Sequence, residues 1–182
     1  MSESDILKII IEDGEMVKIL RSVRDLRLPD SWIGAGFVRN KVWDNLSGTK
    51  TKPTDIDVIY FDPTDATIET EDRYWQKLKD GRPELKWSVK NQARMHEYNN
   101  EPPYKDSTDA VSHWVESPTC VAVALNDDND LVLMAPHGID DLVNMIVRPS
   151  PGFTRSLDIY RERMRRKNWS AIWPKLKIVG LE

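Results

Sequence analysis

The stretches W-I-G-A-G-F-V-R-N-K-V-W-D, residues 32–44, and T-D-I-D-V-I-Y-F-D, residues 54–62, carry the densest chemical signal in the chain. In the second, Ile56, Val58, Ile59, Tyr60 and Phe61 form an apolar, β-branched and aromatic run that predicts a strand at least partly buried in a sheet. Asp55 and Asp57 interrupt it. Side chains alternate across a strand, so both carboxylates leave the backbone on one face, a few ångströms apart. Like charges that close raise each other's pKa and destabilise the fold unless a cation lies between them. Magnesium suits such a pair, because it takes one or two carboxylates and completes its shell with water and substrate phosphates.

In the first stretch, Trp32-Ile33 predicts a short strand, and Phe37, Val38, Val42, Trp43 and Leu46 have the spacing of a helix face. Gly34-Ala35-Gly36 joins the two. A strand that enters a helix through a glycine turn leaves backbone N–H groups aimed at one spot, which suits a phosphate. By itself the turn means no more than tight packing. Ahead of Asp55-Ile56-Asp57 it predicts an anion pocket facing a metal pair, with Arg39 and Lys41 on the following helix as further phosphate contacts.

Gly34 to Gly36 followed by Asp55-Ile56-Asp57 resembles the signature of the DNA polymerase beta-like nucleotidyltransferase superfamily. Together with W-S-V-K-N-Q-A-R-M-H at 87–96 and A-P-H-G-I-D-D-L at 135–142, these motifs look like a bacterial group of small nucleotidyltransferase-like proteins, over roughly 32–174. The resemblance implies an α/β (α+β) fold: a mixed sheet flanked by helices, with a C-terminal hairpin and further helices. It also implies a magnesium or manganese site at Asp55 and Asp57 and a nucleoside triphosphate as substrate. Active members usually carry a third carboxylate on the next core strand, as the base that activates the attacking hydroxyl.

That strand is expected at 85–89, with Leu85, Trp87 and Val89 on one face and Glu84, Lys86 and Ser88 on the other. Ser88 occupies the place of the acid. Glu84, at the start of the strand, is the substitute base that the sequence offers. Asn91, Gln92 and Arg94 follow as a cluster suited to the same cleft, with amides for a base or sugar and a guanidinium for phosphate. Each alone reads more simply as surface.

A chain of 182 residues is long enough for one well-buried domain, expected to comprise a metal and nucleotide core at 1–97 and a hairpin and helical part at 98–182. Its net charge of −4 argues against broad nonspecific nucleic-acid binding but leaves room for a local basic surface. A single cysteine, Cys120, forms no internal disulfide, and no apolar run reaches the ~18 residues a membrane span needs, so a cytoplasmic protein with no membrane partner is expected.

Elsewhere the patterning predicts packing helices over 4–11 and 16–26, with Asp13 as cap of the second, and a surface helix over 65–80. The polar connector at 45–54, with Lys50 and Lys52, reads as a solvated loop. A helix is expected over 107–116, a β-hairpin over 119–135 around N-D-D-N-D, and a helix from Pro136 through Val147 with Asp140 and Asp141 at its N-terminus. Residues 153–167 predict a helix whose arginine-rich end suits its own dipole or a nucleic-acid backbone.

The leading function is transfer of a nucleoside monophosphate to a hydroxyl acceptor that is a small molecule, a protein or RNA. The alternative is a catalytically inactive nucleotide-binding or interaction protein of the same fold. A third reading is RNA binding through the arginine-rich helix.

Overall fold

A computed structural model describes residues 1–52 and 55–181; Pro53 and Thr54 of the predicted connector lie outside the described residues. Two amphipathic helices open the chain, α1 (Glu3–Ile11) and α2 (Gly14–Arg24). Asp13 caps α2 as expected, accepting from the N–H groups of Glu15 and Met16. Ile6, Ile10, Ile19, Leu20 and Val23 point inward from this pair.

The strands β1 (Trp32–Gly34), β2 (Ile56–Tyr60), β3 (Trp87–Asn91), β4 (Ala122–Leu125) and β5 (Leu131–Met134) form one sheet in the order β3-β2-β1-β4-β5. β1 runs antiparallel to both β2 and β4, β2 and β3 are parallel, and β4 and β5 form the antiparallel hairpin. The sheet is therefore mixed, and the hairpin from the second half of the chain extends the sheet begun by the first. Between β2 and β3, α4 (Ile68–Gly81) supplies the crossover that a parallel pair needs.

Helix α3 (Gly36–Ser47) follows β1 directly and buries Phe37, Val38, Val42 and Trp43. The Trp43 ring meets Trp169 and Trp173 edge-on, at centroid distances of 5.5 and 5.1 Å. Its indole N–H donates to the Leu142 carbonyl at 3.1 Å, and the Trp173 indole donates to Asp44 at 2.9 Å. The tryptophan contacts tie α9 (Trp169–Ile172), which follows α8 (Leu157–Lys167) directly, to the glycine-turn helix. The C-terminal segment is thereby part of the architecture around the cleft.

Two expected helices end early. Instead of 107–116, α6 covers Ser107–Ser112 and follows α5 (Gln92–Asn99). The helix expected to run through Val147 stops as α7 (Asp140–Val143), because Met145 takes φ 55°. Ile146–Val147 then becomes β6, paired in parallel with β7 (Lys177–Ile178). A left-handed residue cannot continue a right-handed helix, and the pattern of apolar residues does not reveal it.

Candidate active site

The strand β1 ends against Trp114. A Cβ added to Gly34 would lie 2.5 Å from the Trp114 ring, so only hydrogen fits there. Ala35 follows at φ 55° and ψ −120°, a conformation that an L-residue adopts only under strain, and its N–H donates to the Val121 carbonyl at 2.9 Å. One N–H of the turn is therefore used inside the protein. Gly36 then starts α3.

Asp57 sits inside β2 and Asp55 immediately before it. Both line a cavity of about 600 Å³, together with Ala35 from the turn. Ser88 pairs with Asp57 in the β2–β3 register and lines the same cavity. Burial raises the pKa of the Asp57 carboxyl, and the neighbouring charge of Asp55 raises it further. Lys167, Arg39 and the Ser88 hydroxyl pull the other way without offsetting this.

Two acidic groups that repel each other in a partly desolvated cavity are a donor set that a divalent cation bound through one or two carboxylates fits. Among the described residues, no group of three or more His, Cys, Asp or Glu is arranged to hold a metal ion. Asp55 and Asp57 offer neighbouring hard oxygen donors, which suits a cation that takes the rest of its shell from water and phosphate.

The other expected contacts divide. Gln92 is buried and lines the cavity. Arg39 lies behind the turn, buried, with Nη1 donating to Thr119 at 3.0 Å and its guanidinium 4.1 Å from the Trp169 ring centroid. Burial lowers its pKa to about 10, so it remains charged at neutral pH. It acts on the cavity as a fixed positive charge rather than as an exposed ligand.

Four residues face elsewhere. Lys41 pairs with Asp13 at 2.7 Å and lines a separate cavity, with Gly36, Lys50 and Lys52. Asn91 spends its amide on local backbone: it accepts from the N–H groups of Asp62 and Ala93 and donates to the carbonyls of Asp62 and Asp65. Arg94 grips Glu71 through Nε and Nη2, each at 2.7 Å. Glu84, expected as the substitute base, is exposed in the turn before β3 and pairs with Arg82, which also holds Glu15. The strand begins only at Trp87, which leaves Glu84 outside the cavity wall.

A third carboxylate does reach the cavity, from a part of the chain whose sequence gave no sign of it. Glu116, just ahead of the 3-10 turn Ser117–Thr119, is fully buried and lines the wall. One of its oxygens accepts from Nε of Arg163 on α8, and its Oε2 has no hydrogen-bond partner. Arg163 and Lys167 line the cavity beside it. The contact between Glu116 and Arg163 spans 47 residues, a separation at which local spacing carries no signal.

Comparison with known proteins gives the family and the fold. A family model described as nucleotidyltransferase matches residues 21–178, and the chain belongs to that family. A solution NMR structure described as revealing a CCA-adding enzyme head domain superposes with a TM-score of 0.87 at 36% identity, covering 98% of this chain and 96% of that one. The Thermotoga maritima CCA-adding enzyme in complex with tRNA superposes with a TM-score of 0.59 at 16% identity, covering 99% of this chain but 43% of that one. A CCA-adding enzyme in complex with CTP gives 0.58 at 14% identity, covering 99% of this chain and 44% of that one. The last two share the fold, and this chain spans less than half their length. No curated protein sequence matches.

Proposed function

We propose that the chain transfers a nucleoside monophosphate from a nucleoside triphosphate to a hydroxyl acceptor, in a cavity lined by Asp55, Asp57 and Ala35 of the glycine turn. The observation that carries this reading is the pairing of two adjacent carboxylates with a strained turn at a helix start in one cavity. Membership of the nucleotidyltransferase family supports it. The acceptor oxygen attacks the α-phosphorus, the bond from that phosphorus to the bridging oxygen breaks, and pyrophosphate leaves with the electron pair. The acceptor proton passes to solvent or a nearby base.

Asp55 and Asp57 are the residues that would hold magnesium or manganese. Such an ion, when bound, supplies charge neutralisation at the phosphate oxygens. The protein's own share is to orient the phosphates and to keep two carboxylates facing them. Structures of similar fold are described in complex with tRNA and with CTP, which supports an RNA end as one acceptor class and a ribonucleotide as donor.

The test is a labelled-nucleotide transfer assay with magnesium and an acceptor extract. Label should pass to an acceptor with the wild-type protein, and Asp55→Asn and Asp57→Asn should each reduce the rate by about a hundredfold or more. Transfer that survives both substitutions would remove the aspartates from the mechanism.

A second reading, nucleotide binding without turnover, draws on Ser88, which stands in register with Asp57 where active relatives are expected to carry an acid. Saturable nucleotide binding with no labelled product under any acceptor would favour it.

A further inference from the structure

Gly34, Asp57 and Ser88 form one row across the sheet. Gly34 pairs with Asp57 in the register of β1 and β2, and Asp57 pairs with Ser88 in that of β2 and β3. Neighbouring strands lie about 4.8 Å apart, so the glycine turn, a carboxylate and a hydroxyl follow one another at that spacing. Ser88 is turned to the cavity. In β3 the alternate residues Trp87 and Val89 are buried in the core, while Lys86, Ser88 and Lys90 share the other face and line the cavity. The Ser88 hydroxyl is half-buried and close enough to Asp57 to draw the pKa of that carboxyl downward.

The order of this row suits an in-line displacement, in which the attacking and leaving oxygens stand on opposite sides of the phosphorus. A nucleotide whose terminal phosphates lie toward the turn, with its α-phosphorus beside Asp57, presents the opposite side of that phosphorus to β3. The hydroxyl standing there belongs to the chain itself. Among the described residues, Thr119 and Tyr98 also bring hydroxyl groups to the cavity, and neither stands in the row. Thr119 is buried and accepts from Arg39, and Tyr98 lies on α5 with 82% of its surface exposed.

We propose that Ser88 is itself an acceptor, and that the chain nucleotidylates its own Ser88 inside the cavity. Oγ of Ser88 forms a bond to the α-phosphorus of a bound nucleoside triphosphate, and the bond from that phosphorus to the bridging oxygen breaks. Pyrophosphate leaves with the electron pair, the hydroxyl proton passes to solvent, and a phosphodiester joins the nucleoside to the serine. The step rests on the transferase reading and names one acceptor for it. Serine in place of the expected acid thereby has a use: it supplies the hydroxyl that the acid would otherwise activate.

The experiment incubates the full chain with magnesium and, in turn, ATP, CTP, GTP and UTP, with no other acceptor, and follows its intact mass. With at least one of them the mass should rise by one nucleoside monophosphate, and tandem mass spectrometry should place the adduct on Ser88. This mapping uses the wild-type chain and does not depend on any variant folding. Label at the α-phosphate should stay with the chain, and label at the γ-phosphate should leave in pyrophosphate. Because donor and acceptor share one cavity, the fraction modified per unit time should be independent of protein concentration. Ser88→Ala should lose the adduct, Ser88→Thr should keep part of it, and Tyr98→Phe should leave it unchanged.

An unmodified wild-type chain, an adduct mapped to another residue, or γ-label retained on the chain would overturn Ser88 as the acceptor. Failure of the transferase reading looks different. An unmodified chain that still passes α-label to an acceptor in an extract would sink Ser88 alone, whereas one that passes label to nothing would sink both.

Discussion

Asp57 and Ser88 stand opposite each other in the parallel pairing of β2 and β3, and burial together with Asp55 keeps the Asp57 carboxyl above its ordinary pKa. A carboxyl whose folded pKa is raised binds more protons in the native state than in the unfolded one. Its ionisation therefore lowers stability as pH rises from the ordinary aspartate range through the raised value. At pH 7 the charge is a cost that function retains. Asp57→Asn should raise the melting temperature at pH 7 in EDTA, on the order of 2–4 °C, which is what about 1 kcal/mol is worth in a chain of this size. Magnesium should raise the wild-type melting temperature and leave that of the variant unchanged. Thermal denaturation with and without the metal checks both.

The Gly34 contact with Trp114 makes a sharper claim. A methyl group at Gly34 would meet the ring at 2.5 Å, whereas one at Gly36 would meet the flexible end of Arg39 at 3.4 Å. Gly34→Ala should therefore cost about 1–3 kcal/mol of stability and displace Trp114 from the cavity wall, as overpacking does. Gly36→Ala should cost under about 1 kcal/mol, since an alanine at a helix start is well tolerated. Ala35→Gly should stabilise the chain by about 1 kcal/mol, because φ 55° suits glycine. Urea unfolding of the three variants distinguishes these directions, and a fully tolerated Gly34→Ala would show that Trp114 moves freely.

These cases mark how far local sequence reading reaches. The Asp-Ile-Asp strand, the glycine turn and the hairpin follow from alternation and turn chemistry, which act between near neighbours, so the sheet and one wall of the cavity were readable. Glu84 was not separable from a wall residue, because alternation assigns a face without saying where the strand begins. Arg94 and Asn91 looked available for ligand until Glu71 and the Asp62 to Asp65 backbone turned out to hold them. The second wall is built by Glu116, Arg163 and Lys167, brought together by tertiary packing that buries Tyr160 and Met164 of α8 and pairs Glu116 with Arg163. A pattern over a few residues contains no record of that packing.

Glu71 gives a prediction about acid stability. Its carboxylate is almost fully buried and accepts from the Asn91 N–H at 2.8 Å, from Arg94 and from Lys90. Burial alone would raise its pKa, but the bonds from Arg94, Asn91 and Lys90 outweigh it and hold the group below the ordinary glutamate range. A depressed folded pKa contributes stability that is present above the unfolded value and lost as pH falls through the folded one. Glu71→Ala should destabilise the chain by about 3 kcal/mol at pH 7, at the low end for a broken buried pair because Lys90 and Arg94 keep partial access to water. The difference between variant and wild type should shrink as pH falls below about 4, where the unfolded-state glutamate protonates. Chemical denaturation at pH 7, 5 and 3.5 measures it, and a constant difference would mean that Glu71 acts through packing alone.

The last prediction concerns the ion pair that docks α8. Glu116 is fully buried and Arg163 is partly exposed, so removing the carboxylate leaves a cation with access to water, while removing the guanidinium strands a buried charge. The two substitutions are therefore unequal. Arg163→Met should cost about 3–5 kcal/mol, the penalty for an uncompensated buried ion, and Glu116→Gln should cost less because its amide still accepts from Arg163. In the double variant Glu116→Gln, Arg163→Met the stranded charge is gone, and much of the Arg163→Met loss should be recovered. A double-mutant cycle by urea denaturation reads this coupling directly. If the two single losses simply add, Glu116 and Arg163 do not act as a pair, and α8 is held by its buried Tyr160 and Met164 instead.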